Sequence, residues 1–181
     1  LIFYYSFNAD NGVTVPDESG LGHEGTVSGA TWTTNGFGGG SYFFPGANEY
    51  ISVPASADLT FGTGDFSVSF WVMRTVNDDR RPFINNRQNP GTDGEWAIEV
   101  YDMPDRVEIH SGQFILLTAN TLLVPSVWNH VAVTRSGNTL AVYINGSSAG
   151  DTTIYKDFNE NNDLQIGRDI LSASDLWGKS L

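Results

Sequence analysis

Residues 65–73 alternate strictly: Phe66, Val68, Phe70 and Val72 fall on one side, and Ser67, Ser69, Trp71 and Met73 on the other. This period of two predicts a half-buried β-strand. Residues 128–134 (WNHVAVT) and 139–144 (TLAVYI) behave similarly. The short Arg135-Ser136-Gly137-Asn138 link between them predicts a hairpin. Asn145-Gly146 predicts the next tight turn, because both central positions of a type I′ turn need positive φ. Asn145-Gly146-Ser147 also fits the N-glycosylation pattern, but the turn explains it without a sugar. Further strands are predicted over 26–32, 41–44, 50–53, 82–85, 95–101, 106–110, 114–118 and 164–166, and the opening run Leu1 to Phe7 reads as a first strand. Nothing sustains the i, i+3, i+4, i+7 spacing of a long helix. Residues 55–59 offer at most one helical turn. Many short strands separated by Gly, Asn, Asp and Pro predict an all-β, antiparallel two-sheet sandwich. With no repeat, linker or low-complexity segment, residues 1–181 read as one domain. The abrupt ends suggest that it is cut from a longer multidomain protein.

Composition narrows the function classes. A chain of 181 residues can bury a core large enough to stand without disulfides, which suits the absence of cysteine. That absence also removes thiolate chemistry and Cys-based zinc sites. The net charge of −12 and the mere two lysines, Lys156 and Lys179, repel phosphate backbones, so nucleic acid is excluded as a partner. No apolar run approaches the ~18 residues that span a bilayer. Leu1 to Phe7 is also too short, and lacks the basic start, for a signal peptide.

Several phrases, in order, resemble the laminin-G-like jelly-roll family, related to pentraxins and to the concanavalin A-like fold. They begin with Tyr5-Ser6-Phe7-Asn8, Asp17-Glu18-Ser19-Gly20 and His23-Glu24-Gly25-Thr26. Gly36-Phe37-Gly38, Phe43-Phe44-Pro45-Gly46 and Tyr50-Ile51-Ser52-Val53-Pro54 follow. Phe66-Ser67-Val68-Ser69-Phe70-Trp71-Val72 is similar to the family's "F-S-x-S-x-W-V" strand. Trp128-Asn129-His130-Val131-Ala132-Val133-Thr134 with Val142-Tyr143-Ile144-Asn145-Gly146 is similar to its "W-x-H-V-A-V-T … V-Y-x-N-G" hairpin, and Leu164-Gln165-Ile166-Gly167 to its late strand. The resemblance implies a jelly-roll sandwich and places Trp71 and Trp128 in the packing. The family's last strand has no clear counterpart after Trp177, which leaves open a strand supplied by another chain.

The sequence offers residues for three kinds of chemistry. Calcium needs several hard oxygen ligands gathered from loops. The resemblance implies one cluster in the loop after the "F-S-x-S-x-W" strand and a second after the late strand. Those places hold Asp78 and Asp79, and Asp169. A second candidate is Asp10 with Asp17, although Asp17 can equally cap its own turn. The 159–163 loop is rich in oxygen, but composition alone is no argument for a metal. Sugar binding needs an aromatic face flanked by planar polar groups. The candidates are Trp96, Asn86 and Arg87, where Trp96 can instead be a core residue sharing a face with Ile98 and Val100. Glycoside hydrolysis needs two carboxylates about 5–9.5 Å apart. Glu95, Glu99 and Glu108 lack the single-strand E-x-D-x-E spacing, and the histidines stand apart in sequence.

The expectation is therefore a non-catalytic carbohydrate-binding or adhesion module of a secreted or cell-surface protein, with calcium as the candidate cofactor. The partner would be a glycan or an extracellular protein, with no membrane insertion. The alternative is a structural or protein-interaction domain, a spacer or self-associating unit of a surface fibre.

Overall fold

The structure, a computed structural model, describes residues 1–45, 48–74, 81–88, 92–101 and 105–168. Its strands are β1 (Thr14–Val15), β2 (Gly25–Ser28), β3 (Thr31–Thr33), β4 (Ser41–Phe43), β5 (Tyr50–Val53), β6 (Phe66–Val72), β7 (Arg81–Asn85), β8 (Trp96–Tyr101), β9 (Arg106–Ser111), β10 (Phe114–Leu122), β11 (Asn129–Ser136), β12 (Thr139–Ile144), β13 (Ser147–Thr153) and β14 (Leu164–Ile166). They form an eight-stranded sheet ordered β1-β2-β5-β14-β7-β8-β9-β10, a four-stranded sheet ordered β13-β12-β11-β6, and a small β3-β4 pair. Every pairing of these strands, among the described residues, is antiparallel. The short turn foreseen at 55–59 is a single 3₁₀ turn, Ala57–Leu59, capped by the Ser56 hydroxyl. Among the described residues no helix is long and apolar enough to cross a membrane.

Register explains the core. Across the large sheet, Val27, Ile51, Ile166, Ile84, Ile98, Ile109 and Leu117 are successive cross-strand partners, one per strand from β2 to β10. Partners in register share a face, so these side chains make one continuous aliphatic row. Its central part packs in one cluster with Val131, Val133, Leu140, Val142 and Ile144 of the small sheet. Each such buried side chain contributes about 1.5–3 kcal/mol.

The neighbouring register on the opposite face is polar. It runs Thr14, Thr26, Ser52, Gln165, Asn85, Ala97, His110 and Ile115. From Gln165 to His110 this outer row is also buried. Asn85 Nδ2 donates to the Arg168 carbonyl at 2.7 Å, and Gln165 Nε2 donates to Ser52 Oγ at 2.8 Å.

Three sequence expectations change. Leu1 to Phe7 forms no strand. Its backbone bonds instead to the loop at 17–19: Glu18 N–H donates to the Tyr4 carbonyl, and Ser19 Oγ to the Ile2 carbonyl. A φ of 55° at Phe7 ends its extended course. β13, with the polar sequence SSAGDTT, was not foreseen; it pairs with β12 along the sheet edge and turns only Ala149 fully inward. Trp71 does not lie in the core. It points outward from β6, 40 % exposed, with Phe37 stacked on it at 3.4 Å and His130 at 5.1 Å. Trp128 precedes β11 and is half-buried.

Leu140→Ala should remove about 2–5 kcal/mol of stability, because its fully buried side chain leaves a cavity between the sheets. Phe114→Ala, at an exposed position, should change stability by less than about 0.5 kcal/mol. Paired denaturant titrations check this, and equal losses would contradict the placement of the core.

Candidate functional site

Asn86, Arg87 and Trp96, the expected sugar-binding group, are brought together but turned inward. Trp96 is 4 % exposed and stacks on Phe61 at 4.9 Å, so it offers no open platform. The reason is the alternation of β8, which sends Trp96 to the same side as Ile98 and Val100. Asn86 acts as a staple rather than a reader of hydroxyls. Its Oδ1 accepts from Trp96 N–H at 2.7 Å, and its Nδ2 donates to the Glu160 carbonyl at 2.9 Å. Asn162 Nδ2 returns the contact, donating to the Asn86 carbonyl and to Glu95 Oε1. Arg87, 2 % exposed, directs Nη1 to Glu99 Oε2 at 3.0 Å.

An exposed cleft lies on the neighbouring loops. The cleft has a volume of about 380 Å³ and is lined by Asp93, Tyr155, Lys156, Asp157 and Asn159. Tyr155 is 82 % exposed. Its position follows from its neighbours: Ile154 and Phe158 are buried in the core, so the residues between them arch outward. The arch is pinned from below. Gly62 and Phe158 exchange two backbone hydrogen bonds of 2.9 Å, and buried Arg135 donates to the carbonyls of Lys156, Gly62 and Gly137. Gly94, at φ +102°, lets the 92–95 loop approach closely, since a Cβ there would lie 2.4 Å from Asn159 Oδ1. Lys156 Nζ reaches Asp93 and lies 6.0 Å from the exposed Phe114 ring. The hydrogen bond from Lys156 holds the Asp93 carboxyl below its ordinary range. Sequence reading missed Tyr155; the available signal was one aromatic between the β13 edge and a run of polar residues.

The acidic candidates divide. Asp78, Asp79 and Asp169 lie outside the described residues. Asp17 caps its turn: Oδ1 accepts from the backbone N–H of Tyr4 and Ser19, and Oδ2 from Ser19 Oγ and His23 N–H. Four donors fill a carboxylate's lone-pair positions. This donor-saturated carboxylate does not fit a calcium ligand. Asp10, exposed, accepts from Gly12 N–H in a local turn.

Glu99 stands nine residues before Glu108, and the β8–β9 ladder brings it to Glu108 and His110. Glu99 and Glu108 are direct cross-strand partners, and His110 lies two residues further on the same face. His110 Nε2 is 2.7 Å from Glu99 Oε1 and 3.0 Å from Glu108 Oε2. Searching for paired acids along a single strand could not reveal this, because the pairing belongs to register.

A family model described as the concanavalin A-like lectin/glucanases superfamily matches residues 45–179. The chain belongs to that superfamily. Of the motifs that resemble laminin-G-like domains, those from Tyr50 onward lie within the matched residues, and the jelly-roll-type sandwich is the superfamily's fold. A search of curated protein sequences finds no match. Among solved structures, domain 4 of AbnA, an extracellular GH43 arabinanase from Geobacillus stearothermophilus in complex with arabinotriose, aligns with a TM-score of 0.75. Identity is 19 %, covering 99 % of this chain and 88 % of that one. The binding domain of botulinum neurotoxin DC, in complex with rat synaptotagmin II, aligns at TM-score 0.69 and 16 % identity, covering 99 % of this chain and 46 % of that one. Trypanosoma rangeli sialidase aligns at TM-score 0.70 and 14 % identity, covering 96 % and 28 %. Similarity at these identities defines the shared fold. This superfamily member spans less than half the length of the toxin domain and of the sialidase.

The Asp17 network predicts an acid-labile turn. Burial alone would raise this carboxyl, but the hydrogen bonds from Ser19, Tyr4 and His23 outweigh it and lower the pKa from 3.8 to about 2. A depressed folded-state pKa gives stability that is complete above the unfolded value and lost as pH falls. The loss should therefore fall between about pH 4 and pH 2. Asp17→Asn should reduce stability at pH 7 by about 1–3 kcal/mol and remove this part of the acid response. Superimposable acid-unfolding curves for the two proteins would contradict it.

Proposed function

We propose that this chain is a non-catalytic carbohydrate-binding or adhesion module of a secreted or cell-surface protein, holding a saccharide in the Tyr155 cleft. The observation that carries this reading is an exposed aromatic ring on a pinned arch, surrounded by Asp93, Asp157 and Asn159. A ring face accepts the C–H side of a pyranose or furanose, while carboxylates and amides bind its hydroxyls. Because Arg135 and the Gly62–Phe158 bridge already order the arch, binding loses little entropy in fixing it. The similarity to an arabinanase domain seen with arabinotriose supports a saccharide ligand. The engagement of Glu99 with Arg87 and His110, away from solvent, supports a binding role rather than hydrolysis.

The exposed Phe37–Trp71 stack on the outer face of the small sheet favours a second reading, a protein-interaction or assembly unit.

Calorimetric titration with arabinan oligosaccharides and a panel of other neutral glycans tests the first reading. Tyr155→Ala should weaken binding at least tenfold, about 1.4 kcal/mol, and leave the melting temperature unchanged. Binding that is indifferent to Tyr155→Ala removes the cleft from consideration. A broad panel without any binding, together with self-association reversed by Trp71→Ser, would instead support the assembly reading. Repeating the titration with chelator reads the calcium contribution: binding lost with chelator and restored by calcium would bring Asp78, Asp79 and Asp169 into the mechanism.

A further inference from the structure

We infer that Glu99, Glu108 and His110 form a binding site for a first-row divalent transition metal, with zinc as the working example. This inference is independent of the glycan cleft and stands or falls apart from it. One potential ligand atom from each residue lies within 4.8 Å of the others, and all three residues are buried, at 0 %, 5 % and 2 % exposure. Tetrahedral zinc, with bonds of about 2.0–2.2 Å to nitrogen and oxygen, places ligand atoms about 3.3–3.6 Å apart. The Nε2–oxygen separations of 2.7 and 3.0 Å fall short of that spacing by less than about 1 Å. The donor set therefore needs only small shifts to open around an ion.

A second feature points the same way. Each carboxylate uses one oxygen towards His110 and has the other oxygen held from outside. Arg87 Nη1 donates to Glu99 Oε2 at 3.0 Å, and Thr118 Oγ1 donates to Glu108 Oε1 at 3.2 Å. Outer partners that orient metal-binding carboxylates in this way tune affinity by about 10–100-fold. The mixed nitrogen and oxygen donors favour zinc, nickel or cobalt over calcium or magnesium, which prefer oxygen alone. The triad stands on adjacent strands joined by a six-pair ladder, Trp96↔Ser111 to Tyr101↔Arg106, so its geometry is rigid. The competing arrangement is the same cluster with a proton on Nε2 shared between the carboxylates.

Chelator-treated protein titrated with Zn²⁺, and with Co²⁺ for its visible absorption, distinguishes the two. One equivalent should bind, raise the melting temperature and give cobalt bands of a low-symmetry nitrogen–oxygen site. His110→Gln and Glu108→Gln should each abolish the bands. Thr118→Val, which retains every ligand, should weaken binding about 10-fold. If His110→Gln does not fold, Glu108→Gln, at the more exposed corner, decides the matter. His23→Gln and His130→Gln should leave binding unchanged. Absence of stoichiometric metal, or binding that survives loss of the triad but vanishes with His23 or His130, overturns the inference.

Discussion

The aliphatic row from Val27 through Ile51, Ile166, Ile84, Ile98 and Ile109 to Leu117 is the constraint on which the molecule turns. Its central part must face the small sheet, and its Val27–Ile51 end the cluster around Tyr42 and Phe44, because leaving it in water would forfeit the largest favourable term in folding. A slip of one residue in any strand would exchange the two faces of that strand. Once Ile98 and Ile109 are fixed inward, Glu99, Glu108 and His110 are fixed outward and opposite one another. The convergence of these three polar groups is thus a by-product of hydrophobic register. No local signal around Glu99 or His110 is needed to produce it.

That outward face is itself buried, and this raises a different demand. Buried carboxylates are tolerated only when charge and hydrogen bonds replace lost water. Arg87, His110 and Thr118 meet the demand for Glu99 and Glu108, while Gln88 N–H and Asn162 Nδ2 both donate to Glu95 Oε1. The polar residues that looked available to a ligand are consumed by the protein. Asn86 shows the same economy: it copies backbone hydrogen bonding to join β8 to the 159–163 loop.

Fold was legible in the sequence wherever alternation was strong. The strands at 50–53, 139–144 and 164–166 have the predicted bounds. The Asn145-Gly146 turn has φ of 52° and 79°, as its residue types require. Alternation failed where packing lay on one residue only, as in β13 with Ala149, or where side chains replaced the ladder, as Asp17 and Ser19 do for Leu1 to Phe7. Trp71 was misplaced because the family phrase was given more weight than the parity of the strand, which already put Trp71 opposite Phe70 and Val72. Site residues were harder to read. Asn86, Arg87 and Trp96 are adjacent in space as expected, yet solvent access depends on loops 92–95 and 155–163 folding over them. That closure is not encoded within either segment alone.

The cleft at Tyr155 owes its order to the core rather than to its own sequence. Residues 155–157 are polar or exposed and would wander if only their own contacts held them. Arg135 prevents this. Its position on β11 places the guanidinium against the Phe158 ring, 5.9 Å from the centroid, while its N–H groups bind carbonyls at Gly62, Gly137 and Lys156. Three loops from different parts of the chain are thereby tied to one central strand, whose Val131 and Val133 are locked between the sheets. Positional accuracy at an exposed aromatic then follows from burial several residues away. A rigid sandwich carrying a rim of pinned loops can change what it recognises by changing rim residues alone, because the carbonyls that Arg135 grips are present whatever side chain stands at 155.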